Sequence, residues 1–213
     1  MARPTNTEQR RAQIVGALAT VMASTGYEGA TTAQIARAAG LSPGLVHYHF
    51  ERKEQILLAL VGGLAARAEA RIRARLARAE GAGARLDAAL DALLIRGEDE
   101  DTDAVACWTL IGAEAVKSAA VRVSYRRALV ALRALLAELV EACCAERGRS
   151  AGGSDAIAGA LVAQVEGCFA LSAAVPELIP PGSAAEMARR TAAGLIAAQP
   201  AARAHADALG SQA

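Results

Sequence analysis

An all-α fold is predicted for this chain of 213 residues by three observations. Alanine, which has the highest helix propensity, supplies 56 of the residues. Aromatic residues make up only 3% of the chain, and β-branched residues do not alternate with polar ones, which argues against a β-sandwich or barrel. Apolar residues recur at spacings of three and four, as in amphipathic helices. We therefore expect about nine helices, three short ones followed by six that form a larger body.

The first helix is predicted from an N-terminal capping box. Thr5 and Glu8 have the spacing at which each side chain satisfies a free backbone amide of the other residue. Ile14 and Leu18 then continue a helical apolar stripe, and Gly26 is expected to end the helix.

Two short helices follow. A second capping box, at Thr31 and Gln34, opens the second helix. Ser42 as N-cap and Pro43 at the first helical position open the third, which is expected to end near Phe50.

The rest of the chain is also expected to be helical. The acidic run from residue 98 to 103 is interpreted as a solvated loop that leads into a helix N-terminus, where negative charge is favoured. A third capping box, at Ser183 and Glu186, is expected to open the last helix. The later helices are predicted around residues 53–79, 86–94, 108–115, 125–143, 155–175 and 183–198.

Several protein classes are disfavoured by composition and motifs. Arg and Glu interrupt the alanine-rich stretches, so no membrane span is expected, and the N-terminus lacks the pattern of a secretion signal. The four cysteines lack zinc-site spacing and are interpreted as reduced thiols of a cytoplasmic protein. No nucleophile elbow, metalloprotease, phosphate-loop or dinucleotide motif is present, so we expect no enzyme, no catalytic residue, no metal site and no cofactor.

The segment 31–50, with the sequence TTAQIARAAGLSPGLVHYHF, has the features that a helix-turn-helix requires. Ala36 is small enough for two helices to cross closely. Gly40 tolerates the positive φ of the turn, and Val46 supplies an aliphatic side chain to the shared core. The third helix would then be the recognition helix, which enters the DNA major groove. The charge agrees weakly, since residues 1–53 carry six basic and three acidic side chains.

These residues resemble the N-terminal domain of the TetR family of transcriptional regulators. The resemblance covers residues 31–57 closely, and its matching positions are Thr31-Thr32, Ile35-Ala36, Ala39 to Ser42, Gly44, His49-Phe50, Lys53 and Ile56-Leu57. His47 departs from the family pattern, because it occupies a position where tyrosine is common.

The resemblance implies DNA binding by nine residues around the third helix. Lys53 is expected to clamp a phosphate, and Thr32 to act both as a cap and as a phosphate contact. Arg3, Arg10 and Arg11 are either solvated or form an N-terminal arm that reaches a groove. The expected DNA-binding residues are Thr32, Ser42, Pro43, Gly44, Leu45, His47, Tyr48, His49 and Lys53.

The resemblance also implies a domain organisation and a mechanism. Residues 1–53 would form the DNA-binding domain and residues 54–198 the ligand-binding and dimerisation domain, with a flexible tail at 199–213. A homodimer would bind a palindromic operator with recognition helices roughly 34–36 Å apart. A small effector would shift the fourth helix and release the DNA, which most often relieves repression.

Two further sites are predicted within the larger domain. A pocket is expected near the only tryptophan, with Glu114 and Gln164 as polar anchors on or beside otherwise apolar helix faces. Because aromatic and charged residues are few, its effector is expected to be apolar and neutral or weakly cationic. The expected pocket residues are Trp108, Ile111, Glu114, Gln164, Cys168 and Phe169. The last two helices are expected to form the dimer interface through Leu161, Val165, Ser172, Met187 and Leu195.

Other functions remain open at this point. The chain could be an activator, or an architectural DNA-binding protein without a ligand. It could also be an all-helical small-molecule carrier or scaffold without specific DNA binding, for which weak salt dependence and no sequence preference would be expected.

Overall fold

A computed structural model describes residues 6–95 and 102–202 of the chain. Within those ranges the chain forms nine α-helices and one short 3₁₀ turn, as the all-α prediction requires. Thr5, Arg3 and the acidic residues 98–101 lie outside the described residues. The helices are α1 (Asn6–Gly29), α2 (Thr32–Ala38), α3 (Pro43–His49), α4 (Lys53–Leu76), α5 (Ala82–Leu94), α6 (Thr102–Lys117), α7 (Ala119–Glu146), α8 (Ser154–Ala174) and α9 (Ser183–Ala197), with the 3₁₀ turn at Pro176–Leu178.

The chain divides into two compact units, and the first contains the predicted helix-turn-helix. Among the described residues it takes in 6–70, 102–129 and Phe169–Ile179. Helix α1 packs against α2, α3 and α6. The core of this unit is apolar, and its fully buried members include Ile14, Leu18, Met22, Ile35, Val46, Leu57 and Ile111.

The compact units do not coincide with the predicted domains, whose boundary was placed between residues 53 and 54. Helix α6 packs on α1, and Cys107 and Val121 are buried in the same core as Leu18. The Cys107 thiol also donates to the main-chain carbonyl of Ala19, with an Sγ–O distance of 3.3 Å. The apolar face of α6 therefore groups this helix with the helix-turn-helix.

The second unit is built on α5, α9 and the larger parts of α7 and α8. Helix α5 packs on α9, and an ion pair between Arg189 and Asp91 joins them. The amide of Ala82, at the start of α5, donates to the Glu146 carboxylate at 2.8 Å. Leu90, Leu136, Leu161, Val165 and Ile196 form part of its buried core.

The first residues of the predicted tail are held in place. The Ser150 amide donates to the Pro200 carbonyl at 2.8 Å, and the Ala202 amide donates to the Gly148 carbonyl at 2.9 Å. The Arg149 guanidinium also donates to the carbonyl of Gln199. The expectation of a flexible tail from residue 199 is therefore corrected for residues 199–202, because these backbone groups pair with the turn between α7 and α8.

The capping predictions have different outcomes. The Thr31–Gln34 capping box is present with both of its hydrogen bonds. The prediction for the last helix was wrong. Gly182, at φ 78°, is the N-cap of α9, and the Ser183 hydroxyl donates to the Pro180 carbonyl instead. Ser183 already lies inside the helix, where its side chain cannot accept from the third helical amide.

Helix α8 is exceptionally apolar. Among the described residues it is the one helix that is long and apolar enough to cross a membrane, with a mean hydropathy of 1.6 over 18 residues. Only 28% of that window is buried within the chain.

Candidate nucleic-acid interface

The start of α3 has the local geometry that the sequence predicted. Gly40 adopts φ 62°, and the Leu41 amide donates to the Ala36 carbonyl at 2.9 Å, which closes the turn between α2 and α3. The Ser42 hydroxyl accepts from the Leu45 amide at 3.2 Å, and Pro43 occupies the first turn. The remaining free amides at this end can bind an anion such as a DNA phosphate.

The outer face of α3 brings most of the predicted DNA-binding residues together. Tyr48 is 80% exposed, and its ring meets the ring of His49 edge to face at 5.1 Å. Val46 lies on the opposite face and is fully buried. Ser42, Pro43, Gly44 and His47 are exposed, and Thr32, Leu45 and His49 are half-buried. This face offers polar-tipped rings and backbone amides, which are suitable groups for phosphate and base contacts.

Side chains of α1 form hydrogen bonds with main-chain carbonyl groups at the C-terminal ends of α2 and α3. The Gln13 amide donates to the Ala39 carbonyl at 2.6 Å. The Arg11 guanidinium donates to the His49 carbonyl and lies 3.9 Å from the centre of the Phe50 ring. A positive charge is favourable at a helix C-terminus. Arg11 is exposed and contacts the C-terminal end of the recognition helix, a contact that neither alternative from the sequence, a solvated side chain or an arm in a groove, had specified.

Lys53 is engaged within the protein. Its ammonium donates to the Tyr27 carbonyl at 2.8 Å and lies 4.2 Å from the centre of the Tyr27 ring. The expectation that Lys53 clamps a phosphate did not include this contact, which holds the ammonium at the end of α1. The adjacent Arg52 is exposed, as is Arg37 in the last turn of α2. Sequence reasoning assigned no role to either cation, although both lie close to α3 in the sequence.

An acidic cluster surrounds Tyr27 where α1, α4 and α6 meet. Burial, together with the nearby carboxylates of Glu54, Glu114 and Glu28, raises the pKa of Tyr27 to about 12. The Ser118 hydroxyl donates to Glu54 at 3.0 Å and also accepts from an amide in the first turn of α7. This hydrogen bond joins the turn between α6 and α7 to the first turn of α4.

Four of the predicted pocket residues lie in the first unit. Trp108 is half-buried, with its ring centre 5.0 Å from that of Tyr125. Ile111 is fully buried, and Glu114 is 8% exposed and lies 3.9 Å from the Lys117 ammonium. Phe169 is half-buried. Tyr125 was not predicted, although it lies on the apolar stripe of the long helix.

The other two predicted pocket residues lie in the second unit. The Oε1 atom of Gln164 is buried and has no hydrogen-bond partner among the described residues. Cys168 is half-buried. A buried acceptor without a donor is costly, so Gln164 is suited to receive a hydrogen bond from a bound molecule or water.

The predicted dimer residues divide between core and surface. Leu161 and Val165 are fully buried within the chain, so they have no surface to offer a second copy. Met187 is 49% exposed, while Ser172 and Leu195 are half-buried. The side of α8 that faces away from the chain carries Ala156, Ala160, Ala163, Gly167 and Leu171 instead.

Two families of known proteins match the sequence. The family described as bacterial regulatory proteins, tetR family, matches residues 14–60, and the family described as BetI-type transcriptional repressor, C-terminal, matches residues 82–197. A curated relative, the HTH-type transcriptional regulator BetI of Rhizobium meliloti (strain 1021), is 34% identical over 134 residues. This match spans 59% of the chain and 66% of the relative, slightly less than two thirds of its length.

Solved structures share the fold. A transcriptional regulator from Pseudomonas aeruginosa PAO1 superimposes with a TM-score of 0.80 at 23% identity, over 91% of this chain and 93% of that one. A transcriptional regulator from Saccharomonospora viridis, solved in complex with choline, superimposes with a TM-score of 0.73 at 21% identity, over 92% of this chain and 99% of that one.

Proposed function

The chain belongs to the TetR family of transcriptional regulators, which are DNA-binding proteins and not enzymes, and on that premise we propose that it is a ligand-responsive repressor. It binds a palindromic operator as a homodimer in the cytoplasm, and a small effector releases it from the DNA. The outer face of α3, with its capped start and exposed polar rings, is the observation that carries this proposal.

DNA recognition is assigned to α3 in the major groove. The Gly44 amide donates to a phosphate at the helix N-terminus, where the small Ser42 and Pro43 let the phosphate approach, and Leu45 and His47 reach base edges. Two copies would read half-sites roughly 34–36 Å apart. Selection of duplexes from random DNA, repeated at two salt concentrations, tests this function. An inverted repeat that binds with a steep salt dependence supports it, whereas a folded protein that enriches no sequence contradicts it and favours a carrier or scaffold.

The dimer interface is assigned to the outward sides of α8 and α9. Helix α8 has exposed apolar residues along its length, and Leu171 and Met187 are large exposed apolar residues on these two helices. The small side chains of Ala160, Ala163 and Gly167 allow close approach of a helix from a second copy. Sedimentation of Ala163→Arg tests this assignment, since a charge there should give a folded monomer where the parent is a dimer.

The effector is proposed to be a small organic cation of the quaternary ammonium type. The choline complex of the Saccharomonospora viridis regulator, which shares the fold, supports this class. In this chain, the Trp108 and Tyr125 rings could face such a cation, because aromatic faces attract quaternary ammonium groups. The largely buried Glu114 carboxylate supplies a negative charge on the same helix as Trp108.

Choline is therefore the first effector to test. Saturating choline should change the emission of Trp108 and release the protein from its selected operator. The Tyr125→Leu variant, which removes a ring while keeping an apolar side chain, should weaken both responses. If choline changes neither the emission nor DNA binding, this effector assignment is wrong.

A further inference from the structure

A groove of about 580 Å³ lies between α1 and α4 in the first unit. Its volume falls within the range of small-molecule sites. Val15, Ala19, Ala59 and Leu60 give it apolar walls, and Phe50 contributes a ring at the end of the recognition helix. None of the residues assigned to the effector pocket lines this groove.

Two glycines leave the space between the helices open. Gly16 of α1 and Gly63 of α4 both line the groove, and a Cβ added at either position would meet no atom within 4 Å. Both glycines are exposed, so a molecule can enter from solvent. A larger side chain at either position would fill the groove without a clash of its first carbon.

The charged groups of the groove favour an anion. Among the described residues, Arg11 and Arg67 line it, and Asp103 contributes one carboxylate. Arg67 is exposed, and Thr20, whose hydroxyl donates to the Gly16 carbonyl at 3.4 Å, also lines the groove. Arg11 donates to the His49 carbonyl, so an anion that binds its guanidinium competes with a neutral acceptor.

We propose that this groove is a second ligand site, which binds an anionic amphipathic molecule such as an aliphatic or aromatic carboxylate. The apolar part of the ligand lies between α1 and α4, and its carboxylate pairs with Arg11. A carboxylate is a stronger partner for arginine than a neutral carbonyl is, so the ligand competes with His49 for the guanidinium. Binding thereby loosens the C-terminal end of α3.

If loosening of α3 also weakens operator binding, that consequence rests on the proposed function. Binding of the ligand to the groove does not. Binding is therefore measured on the full chain without DNA. Decanoate, kept below its micelle-forming concentration, is titrated by calorimetry, with decyltrimethylammonium as the probe of opposite charge. Hydrogen exchange then locates the site, with slower exchange expected in residues 11–20 and 59–67 and faster exchange at residues 46–50.

Groove-filling variants test the location. Gly16→Leu and Gly63→Leu should each weaken decanoate binding by about tenfold or more. Gly62→Leu is the matched control, because Gly62 is exposed on the same helix and does not line the groove. It should bind decanoate as the parent does. Decanoate binding that is equal in all three variants would overturn the proposal, as would protection confined to other helices.

Arginine variants test the charge assignment. Arg11→Gln and Arg10→Gln remove the same charge from adjacent positions, but Arg10 does not line the groove and donates to Gln13 on its own helix. Only Arg11→Gln should weaken decanoate binding. Tighter binding of decyltrimethylammonium than of decanoate, or equal losses in the two variants, would reject an anionic ligand that pairs with Arg11.

Discussion

The ammonium of Lys53 donates to the main-chain carbonyl of Tyr27 at 2.8 Å and lies 4.2 Å from the centre of the same residue's ring. The two residues are 26 positions apart, and they join the end of α1 to the first residue of α4. A short turn separates α3 from α4. This contact at the start of α4 therefore also limits how α3 can be oriented relative to α1.

We predict that Lys53→Met affects folding more than phosphate binding. Loss of a charged hydrogen bond and of a cation–π contact should lower the free energy of unfolding by about 1–2 kcal/mol. The dependence of DNA affinity on salt should keep the parent slope. Arg52→Gln is the comparison, and it should reduce that slope by about one because Arg52 is exposed beside α3. A reduced salt slope for Lys53→Met would contradict this prediction and support a phosphate contact by Lys53.

The two caps of the helix-turn-helix should contribute measurably to stability. Thr31→Ala and Ser42→Ala each remove a side-chain acceptor for a helix N-terminal amide, and each should cost about 1 kcal/mol in urea denaturation. Ser183→Ala is the matched control, because Ser183 lies inside α9 and caps no amide. A loss for Ser183→Ala as large as for the other two would contradict this distinction.

Two aromatic residues at the C-terminal end of α3, Tyr48 within the helix and Phe50 just after it, should affect DNA binding and folding differently. Tyr48 is 80% exposed, so Tyr48→Ala should leave the unfolding transition nearly unchanged while weakening DNA binding across all sequences. Phe50 is 2% exposed, so Phe50→Ala should lower the free energy of unfolding by about 3–5 kcal/mol. Chemical denaturation and DNA titration of both variants check the contrast. Parent-like DNA affinity of Tyr48→Ala would remove Tyr48 from the interface.

Tyr27 should make the protein less stable in strong alkali. Its pKa is raised to about 12 in the folded chain, above the ordinary value near 10. The folded state therefore holds the phenolic proton more tightly, and the stability due to this difference is lost as pH rises from about 10 to about 12. Denaturation across this range, compared with Tyr27→Phe, measures the effect. A pH dependence equal in both proteins would show that Tyr27 does not carry it.

Local features of the site followed from the sequence, and distant contacts did not. The Thr31–Gln34 capping box and the Ser42 cap depend on residues three positions apart, so their spacing alone predicts them. The contact of Arg11 with His49 joins residues 38 positions apart. Such a pair depends on how α1 crosses α3, which no spacing specifies, and for this reason Arg11 had two open interpretations.

The grouping of α6 with the DNA-binding helices was missed for a similar reason. Cys107 meets Ala19 across 88 positions. Its apolar neighbours in the sequence predict a helix with one buried face, but they do not indicate which helix covers it. The dimer prediction failed to separate core from surface on α8, because apolar residues occur on both sides of that helix and Leu161 is as apolar as Leu171.

In α3, the residues that anchor the helix in the core are different from the residues that are exposed, and this difference has an evolutionary consequence. Val46 and the adjoining Phe50 anchor the helix in the core, whereas Gly44, His47 and Tyr48 are exposed and contribute little to folding. Proteins lie near a stability threshold, so substitutions that spare the core are the ones most readily retained. Substitutions at these exposed positions can therefore accumulate without a compensating mutation in the core.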